Sequence, residues 1–165
     1  MPSESLDIEV IARGVLLAGD YVLLCRSVPG GYRYLPGGHV EFGEAAHAAL
    51  AREFAEESDL PVRVGRCVHV DEHVFRQKSR LRHEINVTFH VEQATPGAGA
   101  GAEVAGQNTA APAPVASREP DIAFDWVSVR ELDSADLRPT AAAEIIRRVH
   151  GFPHDPFARW SSAVE

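Results

Sequence analysis

The chain has 165 residues, 45% of them hydrophobic, and a formal charge of −8 at neutral pH, which suits one domain with a buried core over residues 1–165. The negative balance and the lack of a basic stripe exclude a general binder of nucleic-acid backbones. No apolar run is long enough to cross a membrane, and Met1 to Val10 carries acids instead of a basic start and an apolar core, so a cytoplasmic location is expected.

In chain order, residues 8–18 and 21–26 read as a hairpin around Gly19-Asp20, with Val22 and Leu24 on one face and Leu23 and Cys25 on the other. The aromatic pair Tyr32 and Tyr34 leads into Leu35-Pro36-Gly37-Gly38, an extended segment ending in a turn whose paired glycines permit positive φ or close backbone approach. A helix follows, because Ala45 to Ala51 are nearly all strong helix formers and nothing breaks the run before Ser58-Asp59. Ala46, Leu50 and Phe54 form its core-facing stripe.

Residues 62–74 then read as extended, and residues 83–92 as a strand with Ile85, Val87, Phe89 and Val91 pointing inward. Between them the alternating basic residues Arg76, Lys78, Arg80 and Arg82 mark a solvated hairpin or loop, or a group that attracts phosphates. Residues 94–120 lose all periodicity and are dominated by alanine, glycine and proline, a composition with little to bury. That stretch reads as a mobile insertion between strands, with a lid or partner contact as the functional alternative. Phe124, Trp126 and Val129 mark a short strand region, and residues 141–149 a closing helix packed through Ile145, Ile146 and Val149. Strands interleaved with two helices predict an α/β fold with helices on both sides of a mixed sheet.

The chemistry concentrates on the first helix. Glu53, Glu56 and Glu57 stand at i, i+3 and i+4, so three carboxylates share neighbouring positions and repel one another unless a cation sits there. Glu57 borders the apolar stripe, where a carboxylate loses hydration, and all three oppose the dipole at the helix C-terminus. Arg52 is the one nearby cation, and helical spacing projects it to another side. The pattern fits either an acidic solvent-facing helix or a divalent metal site. Oxygen ligands of this kind suit Mg²⁺ or Mn²⁺, and Mg²⁺ is commonly bound together with substrate phosphates.

Gly38, Glu44, the run Arg52-Glu53-Phe54-Ala55-Glu56-Glu57 and Leu60 together resemble the Nudix box, the signature of hydrolases that cleave nucleoside diphosphates linked to another moiety. The likeness covers residues 38–60 and departs at one place, where Asp59 replaces the usual glycine. If that place needs a left-handed backbone, Asp tolerates it at some cost. The resemblance implies a Nudix-type α/β/α sandwich, with Glu53, Glu56 and Glu57 as metal ligands, the Gly37 carbonyl as a backbone ligand, Arg52 orienting the carboxylates by a salt bridge, and Glu44 buttressing the loop at the start of the helix. A Mg²⁺ cofactor, or Mn²⁺, follows from it, and a homodimer is compatible with it. The general base is Glu53 or a carboxylate from a later loop. Separately, Glu103 and Glu119 are the acids of the insertion that can reach the site, and Glu119, which adjoins the next structured segment, is the better candidate for a further metal ligand.

Around this core, Arg26, Arg33 and His39 flank the glycine turn as candidates for phosphate or ribose contacts, and Arg80 and Arg82 for phosphates. Tyr32 and Trp160 are candidate stacking faces for a base, whereas Trp126 reads as core. His69, His73, His83 and His90 form no metal pattern, and Cys25 and Cys67 read as core thiols. The expected partner is a small molecule containing a nucleoside diphosphate: a nucleotide sugar such as ADP-ribose, a nucleoside triphosphate or a dinucleoside polyphosphate. A divalent-metal-dependent pyrophosphohydrolase is the function read, with a silent nucleotide-binding module as the alternative.

Overall fold

The computed structural model describes residues 7–77, 79–94 and 110–164. Its first hairpin closes at Gly19, whose φ of +58° suits the turn. Strand β1 (Ile8–Ala18) meets β2 (Tyr21–Ser27) through the pairs Leu17 with Val22 and Ala18 with Tyr21. The rest of β1 belongs to other partners. It runs parallel to β6 (Arg80–Gln93) from Ile8 opposite His83 to Leu16 opposite Val91, and on its other edge pairs antiparallel with β4 (Gly37–His39).

Strand β2 is flanked by β3 (Arg33–Tyr34) and β7 (Ile122–Ser128), both antiparallel to it. The long β5 (Val62–Gln77) forms a hairpin with β6, irregular around Cys67, and β8 (Arg159–Val164) adds in parallel to the outer edge of β5. The path through the sheet is β3-β2-β1-β6-β5-β8, with β4 on β1 and β7 on β2. The sheet is therefore mixed, as the sequence predicts.

One helix covers each face. Helix α1 (Ala46–Glu57) buries Ala49, Leu50 and Phe54 against Ala12, Leu16, Leu23, Phe89 and Val91. Gly14 lets it come close, since a Cβ there would lie 3.1 Å from the Phe54 ring and 2.9 Å from a Val91 methyl. Helix α2 (Ala142–Gly151) buries Ile145, Ile146 and Val149 against Val15, Val22, Leu24 and Val68. The period-2 alternation of β2 thus feeds two cores, and burying each large side chain contributes roughly 1.5–3 kcal/mol. The result is an α/β/α sandwich. Cys25 is buried within it and Cys67 half-buried, both as free thiols.

Arg76, Arg80 and Arg82 lie within the β5–β6 hairpin, the hairpin alternative of the sequence, where Gln77 pairs with Arg80 and Phe75 with Arg82, while Lys78 is outside the described residues. Two features differ from the sequence pattern. One is strand β8. Of the 94–120 segment, residues 95–109, including Glu103, are outside the described residues, but residues 110–120 dock on the sandwich. There Val115 packs against the α1 core, the Trp126 indole donates to the Ala113 carbonyl at 3.0 Å, and Ser117 bridges to Ser58. Among the described residues, no helix is long and apolar enough to cross a membrane.

Candidate active site

The glycine turn and α1 meet because two side chains are missing. Gly37 has φ +137°, and a Cβ on it would lie 1.9 Å from the Ala12 carbonyl oxygen, so β4 can close onto β1 only with glycine there. A Cβ on Gly38 would fall 2.3 Å from the carboxyl carbon of Glu53. The Glu53 carboxylate thus rests directly on the turn.

Arg52 organises the surrounding acids. Its Nε and Nη2 donate to both oxygens of Glu44 at 3.0 and 3.1 Å, Nη1 donates to Glu53 at 3.0 Å and to Glu56 at 3.2 Å, and Nη2 reaches the His39 carbonyl at 3.1 Å. Helical spacing had projected Arg52 away from the cluster; its length carries the guanidinium back over Glu53 and Glu56. Glu44 lies before the helix, which starts at Ala46 with no acid in its first turn. It buttresses the loop, accepting from the Glu41 amide at 3.2 Å as well as from Arg52. The hydrogen bond from Arg52 holds the Glu44 carboxyl below its usual range, and the pairing raises Arg52 further.

Glu57 is different. Its carboxylate makes no hydrogen bond or ion pair with the described residues, and its pKa is pushed up to about 7, first by burial, then by Glu53, with smaller contributions from Glu119 and Glu56; Arg13 opposes the rise. Glu119 is thereby brought within electrostatic reach of the helix acids. Its neighbour Arg118 holds the segment in place: the backbone amide donates to the Glu57 carbonyl at 2.8 Å, and the guanidinium bonds the Ala55 carbonyl at 2.8 Å and the Asp59 carboxylate. Asp59 is not among the described non-glycine residues with positive φ, which are Ser79 and Asp136. It therefore does not replace a left-handed glycine; it anchors Arg118.

Among the described residues, no three His, Cys, Asp or Glu side chains converge tightly enough to enclose a metal ion. Glu53 and Glu56 are turned onto Arg52 instead. The donor set nevertheless fits a hard divalent cation, since it is all oxygen, negative in sum, and includes the unneutralised Glu57. The Gly37 carbonyl accepts from Arg13 at 3.2 Å, which leaves it a second lone pair.

Two residues of this region escaped the sequence reading. Arg13, set in an apolar strand, donates to the Leu35 and Gly37 carbonyls at 3.2 Å each and lies 5.6 Å from the Tyr34 ring centroid. Its signal was a charge between Ala12 and Gly14 where the pattern asked for an apolar residue. Asp125 receives the Nε groups of both Arg26 and Arg33, each at 2.9 Å. These three line an open cleft of about 810 Å³ together with Phe124, Trp126 and Pro112. Trp126, expected in the core, is half-buried: it packs on the α1 core and also faces the cleft.

The remaining candidates lie elsewhere. Arg82 is paired with Glu9 at 2.7 Å, and the His39 ring stands 3.7 Å from the same oxygen, so neither side chain bonds the helix acids. Arg80 sits at the end of the hairpin. The guanidinium of Arg138 lies over the Tyr32 ring, 4.6 Å from its centroid, and occupies one face. Trp160, 61% exposed, is on β8 at the edge of the sheet opposite the cleft strands β2 and β3.

The NUDIX domain family matches residues 9–149, and the chain belongs to that family. Its fold is similar to that of the mutator MutT protein from Bacillus halodurans (TM-score 0.64, 15% identity, 94% of this chain and 89% of that one). It is also similar to a NUDIX hydrolase from Nitrosomonas europaea (0.63, 15%, 95% and 78%) and to an ADP-ribose pyrophosphatase from Streptococcus suis (0.58, 15%, 95% and 98%). At such identities the likeness concerns the fold.

Proposed function

We propose that the protein hydrolyses a diphosphate linkage in a nucleoside diphosphate derivative, using Mg²⁺ or Mn²⁺ held by Glu53, Glu56 and Glu57, with Glu119 and the Gly37 carbonyl available as further ligands. The observation that carries this reading is Glu57: a half-buried carboxylate with no partner among the described residues, beside three other acids, within the matched domain. When bound, the divalent ion neutralises phosphoryl charge and acidifies a water. Arg52 restrains the carboxylate rotamers from the side, and Glu44 fixes Arg52 in turn.

The cleft supports the substrate half of the reading. Arg26 and Arg33 share the Asp125 carboxylate and offer forked guanidinium donors to phosphates, with Glu131 the second acid of the lining. Phe124 and Trp126 offer apolar surface to a sugar or base beside them. Arg80, Arg82 and His39 have weaker support, because Arg82 and His39 face Glu9.

A nucleotide sugar such as ADP-ribose, the substrate named for the Streptococcus suis protein, satisfies this cleft. A nucleoside triphosphate or dinucleoside polyphosphate satisfies it equally. The test is product identification on these three classes with Mg²⁺, Mn²⁺ and chelator. Metal-dependent cleavage of one class supports the hydrolase. Metal-dependent nucleotide binding with no cleavage in any arm would replace it by a silent binding module.

A further inference from the structure

Beneath the glycine turn, on the face of the sheet that carries α2, three polar residues are buried where the strands otherwise supply aliphatic side chains: Asp71, Asn86 and Thr88, at 3%, 5% and 1% exposure. Asp71 and Asn86 are direct partners across β5 and β6, and Thr88 lies opposite Arg13 across β6 and β1. The Asn86 amide donates from Nδ2 to Asp71 Oδ2 at 3.2 Å, and its Oδ1 faces Arg13 Nε at a long 3.5 Å. His73 Nε2 stands 3.2 Å from the same Asp71 oxygen. A small cavity of about 20 Å³ lies among Arg13, Asp71, Asn86 and Thr88.

Such a group is costly in a core, and apolar residues of similar volume commonly give equal or better stability. Its polarity is also directional. Asparagine presents an acceptor to the guanidinium and a donor to the carboxylate; turned the other way, both contacts become repulsive. Aspartate at 86 would set two carboxylates against each other, and leucine would leave both charged ends without their link. The line Asp71–Asn86–Arg13 ends on the Leu35 and Gly37 carbonyls, the second of which is joined by its own peptide bond to Gly38, where Glu53 rests.

We propose that Arg13 is a positioning residue of the active site: tethered from below by Asn86 and Asp71, its guanidinium fixes the Leu35 and Gly37 carbonyls and thereby the glycine turn that supports Glu53. This rests on the hydrolase reading for its effect on turnover, but the tether itself is independent of it. Arg13 touches no reacting atom; it acts through the turn. Lysine cannot replace it, because a single ammonium on a flexible stem does not present the forked donors that face two carbonyls and Asn86 together.

The experiment combines three readouts on Arg13→Lys and Asn86→Ala: amide hydrogen exchange of the metal-free protein, Mn²⁺ affinity by electron paramagnetic resonance, and the split between kcat and KM. Expected are faster exchange at the Gly14 amide, which donates to the Pro36 carbonyl, and at Gly37 and Gly38, with α2 and the β5–β6 ladder unchanged. Mn²⁺ affinity should weaken by roughly tenfold to a hundredfold, and kcat should fall in proportion with KM little altered. Asn86→Ala keeps the guanidinium and should move every readout in the same direction by less, which also covers the case of Arg13→Lys failing to fold. Normal turn exchange and normal Mn²⁺ affinity in a folded variant would overturn the proposal. If the wild-type protein hydrolyses none of the substrates, the functional reading fails, while the exchange pattern at the turn still decides whether the tether exists.

Discussion

The carboxylate helix and the cleft pair their charges in different ways. At α1, one arginine serves three bonded carboxylates, Glu44 before the helix and Glu53 and Glu56 on it, while Glu57 has no partner among the described residues. In the cleft, one carboxylate, Asp125, is shared by two arginines. The helix side is therefore short of positive charge among the described residues, whereas the cleft lining, Arg26 and Arg33 against Asp125 and Glu131, is balanced and offers guanidinium donors. Under the proposed function, a divalent ion would answer the helix acids and its bound diphosphate the guanidinium donors of the cleft.

Glu57→Gln should break the first half most strongly. It removes the carboxylate that bonds no described residue, so metal-dependent turnover should fall by more than the roughly hundredfold cost of losing a supporting residue, with near-UV circular dichroism unchanged. Turnover within about tenfold of wild type would remove Glu57 from the ligand set.

The same substitution has a signature in stability. The Glu57 pKa of about 7 in the folded protein lies above the ordinary value of 4.5, so the folded state binds more protons between those values. Metal-free stability should therefore fall as pH rises from about 4.5 to 7 and then level off, by on the order of 2 kcal/mol after allowance for partial exposure. Glu57→Gln should flatten that slope. By the same linkage, Mg²⁺ binding near pH 7 should release protons, visible as a buffer-dependent enthalpy in calorimetry, and the release should vanish in the variant.

Arg26→Ala addresses the second half. It removes one of the two guanidiniums on Asp125, so KM should rise about tenfold while kcat changes little, the pattern of a lost uniform binding contact. Asp125→Asn should do the reverse, lowering KM at low salt as both arginines are released toward phosphate. A fall in kcat at constant KM for Arg26→Ala would move this residue from substrate binding to the reacting groups.

Local pattern made much of this legible. The first hairpin, α1, the β5–β6 pair and α2 follow from alternation, helical spacing and turn residues over short stretches, and the three helix glutamates from i, i+3, i+4 spacing. What escaped was tertiary. Arg13 finds its partners 22, 24 and 73 residues away, and Asp125 finds Arg26 and Arg33 at separations of 99 and 92. Nothing near either residue announces those contacts. Helical projection alone turns Arg52 away, because it treats side chains as short spokes, whereas an arginine can fold along the helix surface; its salt bridges to the acids follow the role that the Nudix-box resemblance implies. Strand β8 lacks a clear apolar alternation in Arg159-Trp160-Ser161-Ser162, and exists by pairing to the edge of β5. Residues 110–120 look unstructured by composition, but two apolar side chains and one arginine suffice to dock them: Val115, the Trp126 indole and Arg118.

Asp59→Gly restores the family's usual residue and gives the smallest and most discriminating effect. A left-handed backbone at this place would make glycine stabilising, since relief of an L residue there is worth roughly 1–2 kcal/mol. Asp59 does not adopt positive φ, and its carboxylate anchors Arg118 instead. Glycine should then destabilise slightly: about 0.2–1 kcal/mol for the exposed ion pair, with a similar increment from the freedom glycine adds to the unfolded chain. A 165-residue protein should lose about 2–4 °C in Tm for each kcal/mol. The Arg118 amide still bonds the Glu57 carbonyl in the variant, so Glu119 stays near the helix acids and turnover should drop only a few-fold, well under the roughly tenfold effects above. A rise in Tm would show that the backbone at 59 is strained after all. A loss of turnover as large as that of Glu57→Gln would show that the Asp59–Arg118 pair, through Glu119, is as necessary to the site as the box glutamates.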